Sequence, residues 1–291
     1  LIKAGALDGL DCNRRQMLAV YNTILDNLNN DRKKSIEGQM SFFDIAGEDE
    51  KSQFEVTIPD MPEYDKETLL QFEKEALNIY VSGHPLEGYM DIINANVTNQ
   101  TIDLALDDAT GECNVDDESL ITIGGMIVDK VIKYTKNNQP MAFVTIEDLV
   151  GQAEVIVFPN MYGQYADYLN EDAKVLVYGR VNASDDKDAK IICEGMRLFE
   201  DVNDVVWLLF DTREEYSEAE AELMEMLEPM QGNDRVWIFI KKERLTKGLD
   251  AKYNVTADAG LINTLKNKYG EDAVKVQKEK VKFERIKRYK K

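Results

Sequence analysis

Hydrophobic positions near the start of the chain repeat with the period of a helix. The first predicted helix, over 13–28, has an apolar face made of Leu18, Tyr21, Leu25 and Leu28. The second, over 65–81, has an apolar face made of Leu69, Phe72, Ala76 and Tyr80. Asp11 or Asn13 can cap the first helix, Gly83 fits the position after the second, and Pro85 prevents continuation.

From residue 121 the hydrophobic period changes to two, which predicts strands. The predicted strands are 121–134, 141–149, 152–158, 174–182 and 189–199, with a short helix over 161–169. Gly124 and Gly125 suit a coil or bulge that lets the long first strand serve both halves of a barrel. Five strands with a helix between the third and fourth is the order of an OB fold. Another five-stranded barrel or meander is the alternative.

The remaining residues alternate between strand and helix patterns. The predicted strands are 205–210, 235–241, 249–255 and 273–277, and the predicted helices are 214–227 and 258–268. This βαββαβ order predicts a small ferredoxin-like α/β domain. The fold class is therefore α+β and multidomain. We expect a helical segment at 1–93, a linker at 94–119, an OB-type barrel at 120–202 and the α/β domain with a basic tail at 203–291.

Length and composition set the broad class. A chain of 291 residues with 44% hydrophobic content indicates two or three globular domains. No apolar run is long enough to span a bilayer, so we expect no membrane partner. Cys12, Cys113 and Cys193 are far apart, which favours a reducing, cytoplasmic compartment over a disulfide framework. The chain starts at Leu1 within helix-like sequence, so we expect a fragment.

The charge of the chain is unevenly distributed. The net charge is −20, yet residues 262–291 contain 11 basic and four acidic residues. The other 261 residues therefore carry about −27. A basic tail on an acidic body is either a solvated end or an arm that binds phosphate or a partner.

Catalytic chemistry finds little support in the sequence. Phosphoryl transfer needs carboxylates held around metal ions, whereas the acidic clusters fall in predicted loops. These clusters are Glu48-Asp49-Glu50, Asp107-Asp108, Asp116-Asp117-Glu118 and Asp185-Asp186. His84, the only histidine, is interpreted as a capping or packing residue. We predict no catalytic residue, no metal ligand and no cofactor in this chain.

The predicted barrel offers a binding surface instead. OB folds bind single strands across strands two and three and through the loops that join strands 1–2 and 4–5. The candidate residues there and nearby are Lys133, Tyr134, Lys136, Asn137, Phe143, Phe158, Arg180, Lys187, Lys190 and Arg197. Phe143 and Phe158 also fit a core position. Residues 121–200 contain eight basic and twelve acidic residues, which predicts weak, salt-sensitive binding.

A short apolar peptide lies between two polar stretches. It consists of Gln39, Met40, Ser41, Phe42 and Phe43. A flexible peptide can insert two adjacent aromatic rings into a hydrophobic pocket while a glutamine forms hydrogen bonds beside it. The alternative is that Phe42 and Phe43 pack against the chain's own helices.

Several strings together resemble the alpha subunits of bacterial DNA polymerase III. They are Leu1-Ile2-Lys3-Ala4-Gly5-Ala6-Leu7-Asp8, Gly38-Gln39-Met40-Ser41-Phe42-Phe43, Glu73-Lys74-Glu75-Ala76-Leu77-Asn78-Ile79-Tyr80-Val81-Ser82-Gly83-His84-Pro85-Leu86 and the strands around Phe143 and Phe158. The second string is similar to the family's internal sliding-clamp-binding motif, with Phe42 in place of the usual leucine. In the third string, Asn78 occupies the position where the family usually has glycine.

The resemblance implies a role in DNA replication. The parent protein would be a magnesium-dependent, DNA-directed DNA polymerase, and this chain its non-catalytic C-terminal region in the bacterial cytoplasm. Its implied partners are the sliding clamp through Gln39–Phe43, single-stranded template DNA through the barrel, and in some bacteria the tau subunit of the clamp loader. Two other functions are a tRNA-anticodon-binding appendage and a pure protein scaffold in the replisome.

Overall fold

The computed structural model describes residues 1–36, 57–107, 110–184 and 187–283. They belong to two compact units, Leu1–Glu87 and Gly88–Lys291. The predicted clamp-binding peptide, Gln39–Phe43, lies outside the described residues. Within those ranges, every helix is too short or too polar to cross a bilayer.

The first unit contains helix α1 (Arg14–Ile36) and helix α2 (Lys66–Leu77). Asn13 caps α1, because its side-chain oxygen accepts the Gln16 N–H at 2.8 Å. The Gln16 side chain in turn accepts the Asn13 N–H at 2.9 Å. This reciprocal pair satisfies two backbone donors at the helix start. The helix continues well beyond the predicted 13–28.

Helix α2 ends four residues before the predicted end at Val81. Asp65 caps its start by accepting the Thr68 N–H at 2.8 Å. At its end, Asn78 has a φ of 61° and donates its N–H to the Lys74 carbonyl. Asparagine is one of the few residues besides glycine that tolerate this left-handed conformation. Asn78, and not Gly83, therefore terminates the helix.

A buried ion pair joins α1, α2 and the segment that follows. The Arg14 guanidinium lies 2.9 Å from Glu73, whose side chain is 1% exposed, and 2.6 Å from Asp8. The other Glu73 oxygen accepts the N–H groups of Val81 and Ser82. Burial by itself raises the pKa of Glu73, but the hydrogen bonds from Ser82, Val81 and Arg14 outweigh it and lower the pKa to about 2.

The stretch 94–119, which we expected as a linker, packs against the barrel. Helix α3 (Met90–Asn96) is followed by a 3₁₀ turn at Thr101–Leu104. Leu104 is 1% exposed and belongs to the barrel core. The Thr101 N–H and hydroxyl donate to the Asp148 carboxylate at 2.8 and 2.7 Å. These contacts make the stretch part of the second unit.

Five strands form a closed barrel in the order β1-β2-β3-β5-β4. They are β1 (Leu120–Tyr134), β2 (Pro140–Glu147), β3 (Gln152–Val157), β4 (Lys174–Ser184) and β5 (Lys187–Leu198). Helix α4 (Pro159–Tyr165) lies between β3 and β4. The core is filled by alternate residues of all five strands. This arrangement confirms the predicted OB-type barrel.

Strand β1 serves both halves of the barrel. Its first part pairs with β4 and its second part with β2, and the change occurs at Met126. A β-carbon on Gly125 would overlap the Glu147 carbonyl, so glycine permits the close approach of β1 and β2. The irregularity in register falls slightly later, between Ile127 and Asp129.

The C-terminal residues form a four-stranded sheet in the predicted βαββαβ chain order. Its elements are β6 (Asp204–Phe210), α5 (Arg213–Leu227), β7 (Arg235–Ile240), β8 (Leu245–Gly248), α6 (Ala259–Tyr269) and β9 (Val274–Lys278). The sheet order is β8-β7-β6-β9, and β6 pairs directly with β7 in parallel.

This sheet order shows that the predicted ferredoxin-like topology was wrong. In that fold another strand separates the two parallel strands of the first βαβ unit. Here all four residues of β8 are exposed, which suits an edge, whereas β7 is apolar on both faces and suits the interior of the sheet. The third strand also lies at 245–248, before the predicted 249–255.

Helices α5 and α6 cover one face of this sheet. Leu223 and Leu265 belong to the same buried cluster as Leu208 and Ile238. The residues that alternate with these point to the opposite face. They are half-buried and include Trp207, Leu209, Trp237 and Phe239.

Candidate nucleic-acid interface

The outer face of the barrel carries a row of apolar side chains. Phe143 on β2 pairs with Val131 on β1 and with Ile156 on β3. Ile156 pairs with Ile192 on β5. Directly paired residues present their side chains on the same face, and the alternate positions of β2 and β3 fill the core. Phe143 therefore points outward rather than into the core.

A cation lies over the ring of Phe143. The Lys133 Nζ is 4.5 Å from the ring centroid, within the range of a cation–π interaction. Lys133 is itself exposed on β1. The two side chains together place positive charge beside an aromatic surface.

The neighbouring candidates are accessible to solvent. Phe158, which precedes α4, is 43% exposed, and Tyr134 is 67% exposed. Lys136 and Asn137 are exposed in the turn between β1 and β2. That turn is closed by a hydrogen bond from the Thr135 N–H to the Gln139 carbonyl at 2.9 Å. Phe158 thus adds a ring, and the turn adds an amide and a lysine, at this end of the barrel. Tyr134 pairs with Pro140, in the phase of the core residue Ala142, so it does not lie on the same face as Phe143.

Two of the candidate cations are neutralised by carboxylates of the barrel itself. Lys190 lies 2.6 Å from Glu154. Arg180 lies 2.8 Å from Glu118 and 2.9 Å from the buried Glu194. Hydrogen bonds to Glu118 and Glu194 raise the pKa of Arg180. Phosphate would have to displace these partners, so neither cation attracts a strand as an unpaired cation would.

The candidates do not all converge on one place. Lys187 is exposed at the start of β5, before the part of β5 that runs parallel to β3. Lys136 lies beyond the opposite end of β3, so the two lysines flank the outer face. Arg197 is near the far end of β5, where it donates to the Asp201 carbonyl at 2.9 Å. It belongs to a different surface, beside the C-terminal sheet.

Sequence reasoning missed three apolar members of the outer face, Val131, Ile156 and Ile192. The signal is the alternation in β3, where Ala153, Val155 and Val157 fill the core. An isoleucine in the opposite phase then has to lie outside the barrel. Finding Val131 and Ile192 requires the strand register as well.

Titratable groups that were considered for catalysis, or that could be reactive, have structural roles. Asp117 accepts the Ala183 N–H at 2.9 Å. The His84 Nδ1 accepts the Leu86 N–H at 3.1 Å, and its ring lies edge-on to Tyr80. Burial raises the pKa of Cys193 to about 12. Within the described ranges, no three His, Cys, Asp or Glu side chains are grouped so that they could hold a metal ion.

Comparison with known families supports the barrel assignment. The model of an OB-fold nucleic acid binding domain, the tRNA anti-codon family, matches residues 121–199. Among solved structures, the mitochondrial single-stranded DNA binding protein Rim1 from S. cerevisiae is 16% identical, with a TM-score of 0.25. That match covers 28% of this chain and 96% of Rim1.

The sequence relatives extend beyond the barrel. DNA polymerase III subunit alpha from Mycobacterium tuberculosis is 29% identical over 282 residues, covering 93% of this chain and 23% of the relative. The Bacillus subtilis protein of that name is 25% identical, covering 94% of this chain and 24% of the relative. The Borreliella burgdorferi protein is 32% identical, covering 66% and 16%. The chain therefore belongs to the family of bacterial DNA polymerase III alpha subunits, of whose length it spans at most about a quarter.

Proposed function

We propose that this chain is the non-catalytic C-terminal part of a bacterial replicative DNA polymerase alpha subunit, and that its barrel contacts single-stranded template DNA during replication. The outer face around Phe143 carries this proposal. Its aromatic rings can stack with bases, and Lys133 and Lys136 can contact phosphates. The match to a nucleic acid binding OB fold over 121–199 supports it.

The barrel binds DNA weakly in this proposal. Residues 121–200 have a net charge of −4, and Lys190 and Arg180 are paired with carboxylates. A face with few unpaired cations releases few counterions, so affinity is low and falls as salt rises. The barrel thus guides a strand that other parts of the replication machinery hold.

Competition between nucleic acids tests this role against the tRNA alternative. The tRNA alternative is included because the family model that matches the barrel is named for the tRNA anti-codon. A labelled single-stranded oligonucleotide is bound to the full chain at low salt and displaced by unlabelled single strand, duplex or folded tRNA. We expect single strand to compete best. Preferential displacement by tRNA would replace the proposal with anticodon binding, and no binding to any of the three would favour a protein scaffold.

The second part of the proposal concerns the sliding clamp. Gln39–Phe43 has a glutamine followed after two residues by two adjacent aromatic residues, the pattern of a peptide that anchors in a hydrophobic pocket. Replacing Gln39, Phe42 and Phe43 with alanine should abolish binding of the chain to the cognate clamp. Phe54→Ala is the matched control, since it removes an aromatic residue outside the motif. Equal clamp binding by the triple variant and the control would remove this assignment.

Interaction with the tau subunit of the clamp loader is the third part, and it rests on family membership alone. The C-terminal unit is the expected contact. Calorimetric titration of the full chain with purified tau should show saturable binding. The absence of heat exchange and of co-sedimentation would remove tau as a partner.

The chain by itself should incorporate no nucleotide. The magnesium-dependent polymerase activity of the parent protein would use carboxylates outside this chain. Two acidic residues that could have served, Asp117 and Glu118, are engaged with Ala183 and Arg180 of β4. Primer extension by the purified chain with magnesium tests this statement, and detectable extension would overturn it.

A further inference from the structure

A groove of about 550 Å³ lies where the C-terminal sheet meets the far end of the barrel. Its wall on the barrel side includes Arg197 and Asp201, and its floor includes Trp207 and Trp237. Lys280 and Lys282 line its other wall. A volume of this size lies within the range of small-molecule sites, about 300–1,000 Å³.

The floor is the sheet face opposite the helices. Trp207 on β6 pairs directly with Trp237 on β7. Their ring centroids are 5.5 Å apart with an interplanar angle of 32°. Both rings are half-buried, so each retains surface for a further stacking partner. Lys275 on β9 and Gly248 on β8 continue the same cross-strand row.

Arg235 lies on the floor two residues before Trp237 and is 59% exposed. It forms an ion pair with Glu279 through Nη1 at 3.2 Å. Because a guanidinium has five N–H donors, this single contact leaves Arg235 able to bind a second anion. Gly248 lies over the edge of Trp237, and a β-carbon there would contact the ring at 3.2 Å. A glycine at the end of this row therefore keeps the approach to Trp237 open.

The lysine-bearing wall is held in place by hydrogen bonds. The Asn96 side chain of α3 donates to the Glu279 carbonyl at 3.1 Å and accepts the Val281 N–H at 2.7 Å. Asn96 is itself buried. Phe283 anchors the segment two residues later by stacking on Tyr178. Lys280 and Lys282 thus lie on a fixed segment between two anchors.

The groove is positive although the chain as a whole is acidic. Its lining contains five cationic side chains, Arg197, Arg235, Lys278, Lys280 and Lys282, against the acidic Asp201 and Glu279. Lys278 is paired with Asp204 at 2.9 Å, so the unpaired positive charge comes mainly from the two lysines that follow it. Lys280 and Lys282 form no ion pair with any residue that the structure describes. The chain carries a net charge of −20. Cations concentrated here on an acidic protein indicate an anionic ligand.

We propose that this groove is a second binding site for single-stranded nucleic acid, separate from the outer face of the barrel. Bases stack on Trp207 and Trp237, and the phosphates lie along Lys280, Lys282 and Arg235. Aromatic surface combined with a cationic groove is the general means of binding single strands without sequence preference. An acidic peptide would use the cations but would leave the two indole rings without stacking partners. The proposal is independent of whether the barrel face binds DNA.

The two tryptophans provide a site-specific reporter. The whole chain contains only two tryptophans, Trp207 and Trp237, and both line the groove. Titration of the full chain with a thymidine oligonucleotide at low salt, followed by selectively excited tryptophan emission, should show saturable quenching. The single variants Trp207→Phe and Trp237→Phe should each retain quenching of the remaining tryptophan. Parallel titrations with an RNA oligomer and a glutamate-rich peptide identify the kind of anion.

Charge variants test the location. Lys280→Ala combined with Lys282→Ala should weaken the quenching titration by roughly tenfold, since phosphate contacts supply much of single-strand affinity. Phe143→Ala, on the barrel face, should leave the titration unchanged. Lys242→Ala, an exposed cation on the turn after β7, is the matched charge control. An unchanged circular dichroism spectrum verifies the fold of each variant.

Three results would overturn the proposal: no quenching by DNA or RNA at low salt, quenching by the peptide alone, or sensitivity to Phe143→Ala without sensitivity to the lysine variant. Quenching that responds to the lysines alone supports it, even if binding at the barrel face fails. The experiment therefore distinguishes a lack of binding at the groove from a lack of binding at the barrel face.

Discussion

Phe283 stacks on Tyr178 with 5.3 Å between ring centroids and an interplanar angle of 4°. The contact joins the segment after β9 to β4 of the barrel. It depends on a third residue, Gly195 on β5, because a β-carbon there would lie 2.7 Å from the Phe283 ring. One ring thus fixes the path of the chain between the C-terminal sheet and the barrel.

The first prediction follows from this contact. Phe283→Ala and Gly195→Ala should each lower the free energy of unfolding by about 1–2 kcal/mol, since one removes the stacked ring and the other displaces it. The double variant should lose clearly less than the sum, because both changes remove the same contact. Urea unfolding followed by tryptophan fluorescence measures all three.

Tyr178→Phe is the control for this cycle. It keeps the ring and removes only the hydroxyl, so it should change stability by no more than about 0.5 kcal/mol. If the losses in free energy of unfolding caused by Gly195→Ala and Phe283→Ala were strictly additive, glycine at position 195 would not be needed to accommodate the Phe283 ring.

The barrel could be predicted from the sequence because its signals are local. Alternation places all five strands within a few residues of their observed bounds. The helix between β3 and β4 then indicates an OB fold. The end of α2 could have been predicted too. Asn78 adopts the left-handed conformation that ends the helix. Glycine is the commoner residue at this position, so the helix was predicted to continue until just before Gly83.

Features that depend on distant contacts were missed. Leu104 lies in a polar stretch and shows no periodicity, yet it fills one end of the barrel core. The pairing of Trp207 with Trp237 follows from the direct contact of β6 with β7, and chain order alone is compatible with a ferredoxin-like sheet that would separate them. Arg197 was grouped with the candidates near the binding surface of the barrel for the same reason, whereas it lines the groove beside the C-terminal sheet.

The second prediction concerns the buried ion pair of the first unit. The pKa of Glu73 is lowered from 4.5 to about 2, so its carboxylate stabilises the folded state above pH 4.5. That contribution, about 3 kcal/mol, is lost as the pH falls toward the folded-state pKa. Glu73→Gln should therefore be less stable than the wild-type chain at neutral pH, and the difference should shrink as the pH falls through this range.

Urea unfolding followed by helix circular dichroism measures this pH dependence. Glu75→Gln is the matched control, because Glu75 is half-exposed and pairs with the exposed Lys3 at 2.8 Å. Its effect should be at most about 0.5 kcal/mol. A constant stability difference between Glu73→Gln and the wild-type chain across this pH range would contradict the assigned role of Glu73.

The third prediction uses Cys193 as a reporter of the barrel. Burial raises the pKa of its thiol to about 12, so almost no reactive thiolate exists at neutral pH. Cys12 and Cys113 are only half-buried. In the folded chain a water-soluble thiol reagent should label these two first and Cys193 only in urea. In Cys193→Ala, the labelling that requires urea should disappear, which identifies the residue. Equal labelling rates for all three cysteines in the native chain would contradict the closed barrel core.

The central claim is that the outer face of the barrel binds single-stranded DNA. Fluorescence anisotropy of a labelled single strand with the full chain at low salt measures it most directly, in a background of Lys280→Ala and Lys282→Ala that weakens the groove. In that background, adding Phe143→Ala should weaken binding by about 1–3 kcal/mol through lost stacking. Lys133→Ala should weaken binding and reduce its salt dependence, whereas Lys242→Ala should change neither. Equal affinity for all of these variants would contradict the claim.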